Sequence, residues 1–147
     1  QSGYRVFVTG VDSLVWVDIL TKTAANKSDF KIGILGVGQA AEQAFKIAAN
    51  DTTIGAVITL DAANSLQFEE STFSNIPPRP HLVLEATLTP QSPEQKKLLF
   101  FELSQEPKKL VWLATDLSGS NIVNSDLEPI VRRTVLMLVD RYLKGKK

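Results

Sequence analysis

The sequence predicts an α/β fold: a three-layer α/β/α sandwich on a mostly parallel sheet of about five strands, with Rossmann-like topology. Three observations carry this. Five short β-branched runs recur along the 147 residues, they are nearly continuously apolar, and most intervening segments have helical character. Strands covered on both faces read as continuous apolar runs and not as alternating ones. Strand starts spaced by about 23–28 residues leave room for a crossover helix each time.

The first run is "YRVFVTG" (4–10). Residues 13–25 follow, opening on Ser13 as a candidate cap with apolar residues at helical spacing. The second run, "FKIGILG" (30–36), leads into "QAAEQAFKIAA" (39–49), rich in alanine, the strongest helix former. "GAVITL" (55–60) is the third run. Residues 61–80 show no clear period and end in a proline cluster, the signature of a surface loop. "HLVLEA" (81–86) precedes "SPEQKKLLFFELSQ", which begins with a capping box of Ser92, Pro93 and Gln95. "KLVWLA" (109–114) is the fifth run. The last helix is expected to start with Ser125 or Asp126 as cap. It carries Val131, Val135, Leu138 and Tyr142 as its apolar stripe, and Lys144 with Gly145 ends it. Nothing divides the chain, so residues 1–147 read as a single domain.

Composition excludes several classes. Sixteen Lys and Arg balance sixteen Asp and Glu, which leaves no strong field to attract nucleic acid or an acidic membrane. No apolar run approaches the ~20 residues of a transmembrane span. Without cysteine there is no disulfide, thiol nucleophile or thiolate metal site. One histidine, His81, is too few for a histidine metal site, and it is expected at a strand end or on the surface. Asp12, Asp61 and Asp116 fall on three strand-end loops, where carboxylates suit Mg²⁺ or Ca²⁺, but solvated acids are the simpler expectation. No metal and no cofactor is therefore expected. Trp16 and Trp112 are expected to pack in the core or between helix and sheet, and "LLFFEL" (98–103) carries more apolar residues than one helix face needs. The chain starts almost directly on a strand, which suggests a processed N-terminus or a piece cut from something longer, with a slight lean toward an extracytoplasmic setting.

In parallel α/β sheets, sites form at the C-terminal ends of strands. The stretch that stands out there is "GVGQAA" (36–41), and it has two readings. It fits G-x-G-x-x-A, in which one glycine makes the tight turn, the next admits a pyrophosphate, and helix N–H groups bind it. "KIGILGVGQAA" resembles the opening of many NAD(P)-dependent dehydrogenases. On that reading the cofactor-binding residues are Gly36, Gly38 and Ala41, with Asp61 as the ribose-binding acid. However, a strand and helix precede the motif, and no length remains for a substrate domain.

The other reading draws on more of the chain. "GYRVFVTGVDS", "KIGILGVGQAAEQAFKIAANDTTIGAVITLDA", "IPPRPHLVLEATLTPQSPEQ" and "EPKKLVWLATDLSGSNIVNSDLEPIVRRTVLMLVDRYLKG" resemble, in order, successive segments of the α/β-hydrolase family, of the dienelactone-hydrolase-like or small-esterase kind. The resemblance implies the last five of eight strands, with the N-terminal strands lacking. It also implies a nucleophile elbow at residues 36–40, an acid loop after "HLVLEA" and a histidine loop in "ATDLSGSN". Gly38 stands where the nucleophilic serine is expected, Leu88 or Thr89 where the acid is, and Ser118 where the histidine is. The implied protein is a catalytically inactive hydrolase-like domain serving as a binding or structural subunit. Its expected partner is another polypeptide or a second copy, and a small-molecule ligand in the former pocket is the further alternative.

Overall fold

The computed structural model describes residues 32–62, 79–87 and 106–143. Within them, four strands form one sheet in the order β1 (Ile32–Val37), β2 (Ile54–Leu60), β3 (His81–Ala86) and β4 (Lys108–Leu113), and each adjacent pair is parallel. These are four of the five expected strands. The "YRVFVTG" run and the helices expected at 13–25 and 92–105 lie outside the described residues.

Burial follows position in the sheet. β3 is buried at every residue and β2 at every residue but Gly55, whereas β1 and β4 are mixed. The two inner strands are the runs that read as continuously apolar because both of their faces are covered. Ile32 and Gly33 pair with Ile54 and Ala56, so one residue of β2 is skipped, and the skipped residue is Gly55.

One core lies on each face. Helix α1 (Ala40–Asn50) places Ala41, Phe45 and Ala48 against Ile54, Val57 and Val83. On the opposite face, Ile58, Leu60, Leu82, Leu84 and Leu113 meet Ile122 of the short helix α2 (Ser120–Val123) and Val131 and Val139 of α3 (Glu128–Tyr142). Of the expected stripe, Val131, Val135 and Leu138 face the sheet and Val139 joins them, whereas Tyr142 is not part of that core.

Two buried polar devices hold the turn between α1 and β2. Asp51 Oδ1 accepts from the Thr53 N–H at 2.8 Å and from the Thr53 hydroxyl at 2.6 Å. The Arg79 guanidinium donates to the carbonyls of Asp51 and Ile54. Burial lowers the Arg79 pKa, and the nearby Asp51 works in the opposite direction.

His81 begins β3, at a strand end as expected, and is buried there, at 3% exposure, because the α1 face covers the start of that strand. Three expectations are corrected. Trp112 is not in the core. It lies on β4, which is only partly covered, and is 36% exposed. Neither Ser125 nor Asp126 caps α3, which starts from Leu127 without a side-chain cap. The Ser125 hydroxyl instead donates to the Ile122 carbonyl and accepts from the Leu127 N–H, closing the turn between α2 and α3. Finally, α2 interrupts a segment read as loop, since four residues are too few to show a period.

Candidate functional site

The loops at the C-terminal ends of β1, β2 and β4 converge. After β1 the chain turns through Gly38 and Gln39 into α1. The Gly38 N–H donates to the Leu60 carbonyl at 2.9 Å, and its carbonyl accepts from Ala41 at 3.0 Å. Gly38 has φ of 55°, a left-handed conformation that glycine reaches without penalty and other residues adopt with strain.

Gly36 is required for a different reason. A Cβ there would stand 2.5 Å from the Ala40 carbonyl oxygen and from Ala41 Cα. The first turn of α1 therefore packs directly on the last residues of β1. At Gly38, by contrast, a Cβ would meet only Gly119 Cα among the described residues, at 4.0 Å. The side of Gly38 that would carry a side chain thus faces the loop after β4.

That loop is fixed by Asp61. Asp61 follows β2, is 1% exposed and has φ of 52°. Its N–H donates to the Leu84 carbonyl at 2.8 Å, and its Oδ2 accepts from the Gly119 N–H at 2.7 Å. A second acid, Glu85, is fully buried near the end of β3, and its Oε1 accepts from the Ala62 N–H at 3.0 Å. Both carboxylates are therefore committed to backbone N–H groups of the loops that frame Gly38. Thr115 and Thr87 complete the frame: Thr115 Oγ1 accepts from the Leu117 N–H at 3.1 Å, and the Thr87 hydroxyl donates to the Leu113 carbonyl at 3.1 Å.

The structure thus brings Gly36, Gly38, Asp61 and the Ser118–Gly119 loop together. Ala41 is buried under the turn, and Ser118 is half-buried beside Gly119. Asp116 is exposed. Leu88, Thr89 and Asp12 lie outside the described residues. Among the described residues no three His, Cys, Asp or Glu side chains gather as a metal would require.

His81 is at the other end of the sheet. It opens β3, whereas Gly38 follows the end of β1, and the strands are parallel. Its Nε2 is 3.0 Å from the Thr59 hydroxyl, and its ring meets Phe45 edge-on at 4.7 Å. Burial, reinforced by the charge of Lys108, pushes its pKa down to about 3. Sequence reasoning missed Gly119 and Glu85. Gly119 had no signal beyond being a glycine in a loop. Glu85 had one, an acid inside an apolar strand, where charged residues are scarce unless partnered.

No protein-family model matches the sequence, and no curated protein matches it significantly. Solved structures resemble it in fold. The esterase domain of a Rhodothermus marinus protein superposes with a TM-score of 0.65 at 14% identity, over 92% of this chain and 71% of that one. The α/β hydrolase GrgF of Penicillium sp. sh18 gives 0.68 at 15% identity, over 88% and 71%. The Pyrococcus furiosus esterase Pf2001 gives 0.69 at 13% identity, over 94% and 66%. The chain spans about two-thirds of the length of these structures. At such identity the likeness establishes the fold: an α/β architecture with a parallel sheet, arranged as in α/β hydrolases.

Proposed function

We propose that this chain is a catalytically inactive α/β-hydrolase-like domain that serves as a binding or structural subunit. The observation that carries the reading is Gly38. It stands on a left-handed strand-to-helix turn, its Cβ direction open toward the Gly119 loop, where an elbow would present a nucleophile. Glycine has no group to attack with. The three structural neighbours named above, an esterase domain, an α/β hydrolase and an esterase, would otherwise make ester hydrolysis the first expectation.

The chain's sole histidine, the usual general base, does not stand at this end of the sheet. Acyl transfer needs a nucleophile, a base and an orienting group in one place. The sole histidine is buried at the far end, and a pKa near 3 makes it a weak base at neutral pH. Ser118 stands by Gly119, but a serine without an adjacent base is a poor nucleophile.

The dinucleotide reading is weaker. Its acid, Asp61, is buried and holds the Gly119 N–H instead of facing an open groove. Hydrolysis of p-nitrophenyl acetate and longer p-nitrophenyl esters is the direct test. The rate with protein is expected to equal the buffer rate. Saturable turnover that disappears in Ser118→Ala or Asp116→Asn would show that another set of groups does the chemistry.

A further inference from the structure

We propose that α3 carries a self-complementary face on which two copies of this chain associate about a two-fold axis. Four large apolar side chains are exposed among the described residues, and two of them, Ile130 at 52% and Met137 at 61%, lie on this one helix. They are seven residues apart, two helical turns, so they form a stripe on one side. The stripe is not the sheet-facing side, which holds Val131, Val135, Leu138 and Val139. Exposing two such side chains on one stripe costs solvation that burial against a partner would recover.

The arrangement of charge along the helix selects the partner. Asp126 is exposed in the turn just before the first helical residues, and Arg141 is exposed in the last turn, its guanidinium 5.4 Å from the Tyr142 ring centroid. Positions 130 and 137 are centred between Arg133 and Thr134, and positions 126 and 141 share that same centre. An antiparallel copy of α3 placed about this centre sets Ile130 opposite Met137 of the other copy, and Asp126 opposite Arg141. Each contact then occurs twice, the pattern an isologous interface demands. A parallel copy would oppose Asp126 to Asp126 and Arg141 to Arg141. Arg133, also exposed, lies next to the axis and comes near its own mate, a like-charge contact that lowers the affinity.

The inference concerns the helix face alone and does not depend on the Gly38 site, so the ester assay and the association assay fail separately. An interface confined to one helix face is smaller than the roughly 1,200 Å² of a standard one, so association is expected to be weak. Sedimentation velocity from about 10 µM to about 1 mM covers the range in which such an interface would be populated. A concentration-dependent dimer is expected. Met137→Glu should weaken it at least about tenfold while leaving the far-UV spectrum and melting curve in place, since the side chain is exposed. Asp126→Arg should weaken it as well, and the double variant Asp126→Arg/Arg141→Asp should restore it. A monomer at every concentration would overturn the proposal. So would a dimer indifferent to Met137→Glu, or a charge exchange that fails to restore association.

Discussion

Gly36 and Gly38 look alike in the sequence and differ in what they do. Gly36 is needed for space and Gly38 for conformation. Replacing Gly36 with alanine drives a Cβ into backbone atoms of Ala40 and Ala41 at 2.5 Å, and backbone cannot rotate away. The expected cost is about 3 kcal/mol or more, the upper end of overpacking. Gly38→Ala meets nothing closer than 4.0 Å among the described residues and is strained by its positive φ, about 1 kcal/mol. Urea unfolding of the two variants checks the order, and a larger loss at Gly38 would contradict the turn geometry. This distinction matters for the site. The dinucleotide pattern asks Gly36 only for the tight turn, and the packing of α1 on β1 already accounts for that, so Gly36 is no evidence for a ligand.

At the scale of elements, the turn between α1 and β2 depends on a residue distant in sequence. Arg79 immediately precedes Pro80 and β3, yet its guanidinium ties together the carbonyls of Asp51 and Ile54. Removing it leaves two shielded acceptors without their donor, at about 1–3 kcal/mol. Arg79→Met, which keeps the aliphatic stem, is expected to lose that amount in a urea melt and to speed amide exchange around Ile54. Unchanged exchange there would mean that Asp51 and Thr53 hold the turn alone. Periodicity and alanine content foretold α1 to within a residue, and the apolar runs foretold all four described strands. What they did not foretell was α2 or the start of α3. A four-residue helix has no period, and the Ser125 hydroxyl is engaged by Ile122 and Leu127 instead of capping a helix.

The whole molecule is expected to respond to acid through His81. Its folded pKa, about 3, lies below the 6.5 of the unfolded chain, so between these values the unfolded state binds more protons. Stability is therefore full above about pH 6.5 and falls as the pH drops toward 3, by at most about 1.4 kcal/mol per pH unit. Urea midpoints at pH 7, 6, 5 and 4 measure this. His81→Gln, able to keep a hydrogen bond to Thr59, should flatten the slope relative to the wild type. Equal slopes would place the acid sensitivity in the carboxylates instead. The burial responsible is a property of the assembled layers, since Phe45 of α1 and Thr59 of β2 close over a histidine that opens β3.

The sequence by itself determined the layered α/β architecture, the parallel direction of the strands and the glycine turn as the place to look. These follow from local pattern: apolar runs too short to be anything but strands, spaced widely enough for crossovers. It also determined that Gly38 brings no reactive group, a fact of composition. Only the tertiary structure decided that Asp61 faces inward to the Gly119 N–H and that His81 is buried. Both depend on contacts between residues 22 or more positions apart, which no local pattern encodes.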